Sequence, residues 1–180
     1  LNEAVAHLAE LGTTNISHRI QAYLSEPSRF PLVVADYYQA GLWRCDGVRG
    51  STYLFLRWCR QQHGEQFAGR ILRSRETGVA NLVAVTGTPF SQLYRRWSLA
   101  VLYGHGPLHR SRPAMVPWSG GATLRLHLAG TATAYIAPKQ LPPGAMVRIE
   151  APPDARLQVT AATPRRSMEW FPRRNTSAAP

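Results

Sequence analysis

The sequence predicts an α+β protein, mainly helical through about residue 104 and followed by a small antiparallel β region. Three observations favour this class. Apolar residues recur at helical spacing up to about Tyr103, and they alternate with polar residues beyond residue 121. Between these parts, residues 105–120 are rich in Gly and Pro, as in a linker. The 180 residues suit one domain with a small appendage, and 44% apolar residues can build a core.

The mainly helical part of the chain, here named the helical lobe, is predicted to begin with two short helices. Residues 2–11 form the first, with Gly12 in the position of a left-handed C-terminal cap. Residues 16–24 form the second, with Asn15 as its N-cap, and this helix ends before Pro27.

The clearest core helix is predicted within residues 50–64, "GSTYLFLRWCRQQHG", and ends at Gly64. Its apolar residues form one stripe: Leu54, Phe55, Trp58 and Cys59. The next segment, residues 65–74, has three apolar residues at helical spacing: Phe67, Ile71 and Leu72.

The last helix of the lobe has strong boundary signals. Thr88 is its predicted N-cap, Pro89 suits its first turn, and Gly104 ends it. A stripe at i, i+3, i+4, i+7 and i+11 is expected to face the core: Phe90, Leu93, Tyr94, Trp97 and Val101.

The β module is predicted at residues 121–164, where "ATLRLHLAGTATAYIAPK", "AMVRIEAP" and "ARLQVTAAT" alternate with period two. These segments predict at least three short strands separated by Pro/Gly turns. Because so few strands form a marginal sheet, the module is expected to lean on the helices. Residues 165–180 are expected to be a disordered basic tail.

The net charge of +11 invites a nucleic-acid function, because phosphate neutralisation drives such binding. The arginines, however, occur in short scattered pairs without an RNA- or DNA-binding motif, which argues against that function and favours a coding bias. No stretch approaches the length of a membrane span. Cys45 and Cys59 could form one disulfide in an exported protein, or Cys59 could be a buried apolar residue.

The first predicted helix carries the residues of greatest chemical interest. Glu3 and His7 are four residues apart and share one helical face, with Glu10 further along. One interpretation is an amphipathic helix whose Glu–His pair suits the helix dipole. The other is that Glu3 is a metal ligand whose partners lie elsewhere.

The segment "NEAVAH", Asn2 to His7, resembles the third-ligand helix of thermolysin-like zinc metallopeptidases, whose first two ligands come from an HExxH helix. Residues 47–102 resemble the hyicolysin-type bacterial metallopeptidases: "YLFLRW", His63-Gly64, "SRETGVANLVAVTG" and "PFSQLYRRW" follow each other in that family's order. The resemblance covers most of residues 1–102.

The resemblance implies that Glu3 is the third zinc ligand, with Asn2 and His7 close to the metal site. His7 stands one residue away from the position of the family's orienting Asp. Such a zinc site keeps an open position for water, which the metal activates for peptide hydrolysis. A peptide substrate and a secreted or periplasmic location are implied in the same way.

Two departures limit what the chain can do by itself. No HExxH occurs in the 180 residues, so this chain alone is expected neither to hold catalytic zinc nor to hydrolyse peptides. In aminopeptidase-N-like relatives, a Tyr that stabilises the oxyanion precedes the Gly that opens the long helix. Aligning that Gly with Gly50 puts Gly47 at the Tyr position, which leaves Tyr38 and Tyr53 as weak candidate donors by proximity.

The sequence therefore predicts the C-terminal part of a zinc metallopeptidase that depends on an HExxH-bearing part of its parent chain. Residues 13–103 would form one wall of its substrate cleft. Two other classes remain open: a non-enzymatic basic helical module that binds an acidic partner, and a degenerate peptidase that has lost its chemistry.

Overall fold

The computed structural model describes residues 16–34, 45–104, 112–139, 141–142 and 144–162. The predicted helix at residues 2–11, its cap at Gly12, the predicted N-cap Asn15 and the predicted tail at 165–180 lie outside these residues.

The described part of the chain contains five α-helices and two β-strands, which agrees with the predicted α+β class. In chain order they are α1 (Ser17–Ser25), α2 (Asp46–His63), α3 (Phe67–Arg73), α4 (Gly78–Thr86), α5 (Phe90–Tyr103), β1 (Val116–Trp118) and β2 (Ile136–Pro138).

Helix α2 is the centre of the core. Its predicted apolar stripe is buried, but Tyr53 and Leu56 are buried as well, so burial extends well beyond one stripe. The reason is tertiary: α1 packs along α2, and the Phe55 ring contacts the Trp97 ring of α5 at 5.5 Å. The helix ends before Gly64 as predicted, and that glycine has a φ of 88°, which favours a residue without a side chain.

Helix α3 packs against both α2 and α4. The Asn81 side chain of α4 is buried, and its Nδ2 donates a hydrogen bond to the Ile71 carbonyl at 3.0 Å. Phe67 and Ile71 are buried, whereas Leu72 is 64% exposed and does not join the core.

Helix α5 packs its predicted stripe into the core: Leu93, Trp97 and Val101 are buried, and Phe90 and Tyr94 pack against them. Its end at Gly104, in the left-handed conformation, is as predicted. The predicted N-cap is wrong, because Pro89 occupies the cap position. The Thr88 side chain is engaged in the preceding turn, where its hydroxyl donates to the Thr86 carbonyl at 3.3 Å.

The two strands pair in parallel, with Val116 opposite Ile136 and Trp118 opposite Pro138. The predicted antiparallel pairing is therefore wrong for the strands that the structure describes. Antiparallel neighbours can be joined by a tight turn, whereas parallel ones need a long crossover. Residues 119–135 supply that crossover. Strand β1 also lies inside 105–120, the stretch predicted as a linker.

Each outer edge of this sheet carries a proline. Val116 donates its N–H to Tyr135, and Lys139 donates to Trp118. In a parallel ladder, this pattern turns Pro117 and Pro138 outward. Because proline has no N–H to donate, the sheet cannot readily extend on either side. No strand is assigned in the described residues of the other predicted segments, and Met146 is 96% exposed.

Residues 112–139, here named the strap, lie against the helical lobe. The Ala114 N–H donates to the Leu24 carbonyl at 2.7 Å, and the Ala129 N–H donates to Ser28 at 3.1 Å. The Leu32 N–H returns a hydrogen bond to Thr131 at 3.3 Å. Backbone groups of the strap are thus paired with the last turn of α1 and the loop after it. The first part of the predicted β module, residues 121–139, therefore leans on the helices as expected. No helix in the described part of the chain is long and apolar enough to cross a membrane.

Candidate functional site

Most of the predicted zinc-site residues lie outside the described residues: Glu3, Asn2, His7 and Tyr38. Tyr53 is described. Its side chain is only 4% exposed and belongs to the core of α2. Its hydroxyl accepts a long hydrogen bond from Arg57 at 3.4 Å, and the Arg57 guanidinium lies 5.9 Å from the ring centroid. The hydrogen bond described for this hydroxyl is thus with an arginine of the same helix.

Position 47, where the resemblance would place a Tyr donor, is occupied by a glycine against which a neighbouring ring packs. A Cβ on Gly47 would lie 2.5 Å from the Phe30 ring, so the ring occupies the space that a side chain would need. No hydroxyl can therefore reach a substrate from position 47 in this arrangement.

A carboxylate and an imidazole meet at the start of α2. Asp46 lies 3.5 Å from the Nε2 atom of His18, and 3.4 Å from the Nε atom of Arg19, through the same carboxylate oxygen. The arginine charge on that oxygen disfavours a bound cation. No cluster of three or more His, Cys, Asp or Glu occurs in the described part of the chain. These residues therefore do not fit a zinc ligand set.

A basic surface lies at the other end of α2. The His63 ring stacks on the Phe67 ring, with centroids 6.1 Å apart. The Arg70 guanidinium donates a hydrogen bond to the His63 carbonyl at 2.9 Å. Burial lowers the pKa of His63, and the positive charges of Arg70 and Arg96 lower it further. His63 and Arg70 thus meet at the partly exposed end of the central helix.

Three tyrosines meet between the helices and the strap. The Tyr94 hydroxyl contacts the Thr131 carbonyl and the Thr133 hydroxyl, both at 2.6 Å, and the Tyr135 hydroxyl donates to the Ser98 carbonyl at 3.1 Å. Burial raises the pKa of Tyr94 to about 12, although the Thr133 hydrogen bond opposes this shift. Burial also raises the pKa of Tyr23 and of Tyr135. The proton is therefore retained on all three at neutral pH.

The cysteines do not pair with each other. Cys45 caps α2, Cys59 lies within that helix, and both are free. Fourteen helical residues span about 21 Å, far beyond the reach of a disulfide. Burial also raises the pKa of the Cys59 thiol, which keeps this side chain protonated and unreactive.

Sequence reasoning missed the basic surface and the tyrosine group. His63 and Arg70 lie on two different helices, and no local pattern predicts that they meet. One sequence feature could have predicted the tyrosine group. Tyr135 is the single Phe, Trp or Tyr in the alternating stretch 121–139, and a large aromatic side chain there indicates the face that packs toward the core.

Family models, curated proteins and solved structures were all compared with this chain, and none of them matches it.

Proposed function

We propose that this chain is the part of a zinc-dependent peptidase that carries the third zinc ligand, Glu3, and one wall of the substrate cleft. The observation that carries the proposal is the order of two motif segments, "NEAVAH" followed by the succession within residues 47–102. The proposal is supported by the helical character of the second segment, in which Gly64 and Gly87 end helices.

The metal would supply a water molecule activated for attack on a peptide carbonyl. Its two histidine ligands would come from an HExxH segment outside these 180 residues, because the sequence contains none. Asn2 and His7 would lie close to the metal, and Tyr38 and Tyr53 remain the candidate transition-state donors. A polypeptide substrate and a secreted or periplasmic location of the enzyme belong to the same proposal.

The test is the zinc content and peptidase activity of the full-length parent protein, with Glu3→Gln as the variant and Glu10→Gln as its control. Both substitutions remove one carboxylate from the same predicted helix, so only a ligand role separates them. Glu3→Gln is expected to lose zinc and activity, and Glu10→Gln to retain both. Equal zinc in the parent protein and the Glu3→Gln variant would remove Glu3 from the site. The 180-residue chain alone is expected to hold no stoichiometric zinc.

A second candidate function is a non-enzymatic basic module that binds an acidic partner, whether it arose as such or as a degenerate peptidase. The basic surface at the end of α2 favours it. A parent protein that lacks both HExxH and bound zinc would decide for this candidate.

A further inference from the structure

Residues 144–162 expose apolar side chains that do not pack on the core. Five of the exposed large apolar residues lie in this range: Met146, Val147, Ile149, Leu157 and Val159. In residues 145–151, "AMVRIEA", apolar side chains alternate with the charged Arg148 and Glu150, a pattern typical of a β-strand. No strand is assigned in this range. Residues 145–151, here named the strand segment, therefore have the sequence of a strand without belonging to a sheet.

The rest of the β region offers this segment no matching partner. Both edges of the β1–β2 sheet turn a proline outward, which hinders the addition of a strand. The segment that follows is connected by a turn in which the Ala155 N–H donates to the Pro152 carbonyl at 2.9 Å. A hairpin closed by that hydrogen bond would set Glu150 opposite Leu157, and residue 148 opposite residue 159. Each charged side chain would then face an apolar one, so this pairing is disfavoured.

The strand segment is, in contrast, complementary to a second copy of itself. Arg148 and Glu150 are symmetric about Ile149, so an antiparallel pair centred on Ile149 sets Arg148 of each copy opposite the partner's Glu150. The same pair sets Val147 opposite the partner's Ala151 and Ile149 opposite itself. Within one copy, the Arg148 and Glu150 side chains already form an ion pair at 3.0 Å. The four charges of the pair would therefore alternate in sign on one face, and apolar residues would cover the other.

The backbone and the net charge also permit this pairing. When residues 147, 149 and 151 exchange the hydrogen bonds with the partner, the nitrogen of Pro152 faces away from it, and the missing N–H leaves no gap in the ladder. Between residues 144 and 162, Arg148 and Arg156 are balanced by Glu150 and Asp154. The net charge of +11, which opposes contact between two copies, therefore comes from the rest of the chain.

We propose that the strand segment pairs with the strand segment of a second copy, forming a two-fold symmetric antiparallel β-ribbon. Backbone hydrogen bonds supply the attraction, and the cross-strand Arg148–Glu150 pairs set the register. Because so short a ribbon buries less surface than a standard interface, the dimer is expected to be weak, with a Kd on the order of 100 µM. This inference does not rest on the zinc proposal, since no residue is shared.

Sedimentation equilibrium of the 180-residue chain, from about 10 to 500 µM, measures the dimer. Arg148→Glu and Glu150→Arg each set like charges opposite one another at both symmetric positions, so each is expected to weaken the dimer about tenfold. An equimolar mixture of these two variants is expected to dimerise again, because every cross-strand pair then joins opposite charges. Arg156→Glu makes the same change of net charge outside the paired residues and is expected to change the Kd less than about twofold. Circular dichroism establishes that the variants remain folded.

Three outcomes would overturn the proposal. A chain that stays monomeric over the whole concentration range would exclude a second copy and leave the strand segment to a strand of another protein. Equal weakening by Arg148→Glu and Arg156→Glu would mean a general effect of net charge. A mixture of Arg148→Glu and Glu150→Arg that associates no better than either variant alone would refute the antiparallel register.

Discussion

At the scale of single residues, the absence of a side chain at Gly50 decides how closely α1 and α2 approach. A Cβ at this position would overlap the carbonyl oxygen of Arg19, which belongs to the backbone of α1 and cannot move by a change of rotamer. Gly69 on α3 is different, since a Cβ there would meet only the end of the Arg73 side chain at 3.4 Å. The two glycines are both helical, but only one of them is needed for packing.

Gly50→Ala is expected to lower the free energy of unfolding by about 3 kcal/mol, because the two helices must separate to admit the methyl group. Gly69→Ala is the matched control. It is expected to raise stability by about 0.5–1 kcal/mol, because alanine loses less backbone entropy in a helix than glycine does. Urea unfolding followed by circular dichroism measures both. A neutral Gly50→Ala would contradict the close approach.

At the scale of elements, the strap is held to the helices chiefly by polar groups. Tyr94 of α5 reaches Thr131 and Thr133, and the Thr131 side chain also accepts a hydrogen bond from the Val33 N–H at 2.7 Å. The Ser98 carbonyl accepts from Tyr135 of the strap. These hydrogen bonds are partly buried or exposed, and each joins a defined pair of groups, so together they specify where the strap lies.

Tyr94→Phe is expected to cost about 1 kcal/mol, because one hydrogen-bonding hydroxyl is lost while the Thr131 carbonyl keeps the Leu32 N–H and the Thr133 hydroxyl keeps Ser98. The loss of stability is expected to be confined to the strap and the residues that it contacts. Hydrogen exchange is expected to accelerate at the Leu32 and Thr133 amides, while amides in the middle of α2 change little. Tyr53→Phe removes the same atom, where its only described hydrogen bond is long, and is expected to leave the exchange of the strap unchanged. Uniform acceleration throughout the protein would show that the strap is not a separate unit.

At the scale of the whole molecule, the strap and the helices share one core. Tyr135 is 7% exposed and belongs to the same apolar cluster as Leu24 and Trp97. Residues 144–162 contribute to that cluster neither a buried nor a packed apolar side chain. The cooperative unit is therefore expected to include residues 112–139 and to exclude residues 144–162.

Two truncations check this boundary. A chain that ends at residue 143 is expected to unfold within about 2 °C of the intact chain, since the deleted part lacks core residues. A chain that ends at residue 111 loses Tyr135 and the strap hydrogen bonds, and its Tm is expected to fall by about 10 °C or more. Differential scanning calorimetry measures both. Equal Tm values for the two truncations would show that the helices form the core alone.

The buried tyrosines predict sensitivity to alkali. The pKa of Tyr94 is about 12 in the folded protein and about 10 in an unfolded chain, so the unfolded state loses its proton first. The stabilisation is therefore complete below pH 10 and is lost as the pH rises from 10 towards 12. Urea unfolding at pH 8, 10 and 11.5 should show this fall. The fall should be smaller in Tyr94→Phe, and an equal fall would exclude Tyr94 as a source.

Much of the helical lobe could be predicted from local pattern. The α5 stripe and the glycines at the ends of α2 and α5 act through neighbours three or four residues away, so the sequence contains the whole signal. Two predictions made from local pattern were wrong. Leu72 has the spacing of a core residue but is 64% exposed, and Thr88 has the chemistry of a cap but its hydroxyl bonds Thr86. The candidate zinc site was predicted from the resemblance alone. Glu3 lies outside the described residues, so the structure does not test its role.

The sequence by itself determined the α+β class, the positions of the long helices and the excess of positive charge, because periodicity, capping and composition are local properties. Only the tertiary structure decided that two strands run parallel, that the strap shares the helical core, and that His63 meets Arg70. These features depend on contacts between residues distant in the chain, whose free energies are set by packing and burial rather than by any neighbour in sequence.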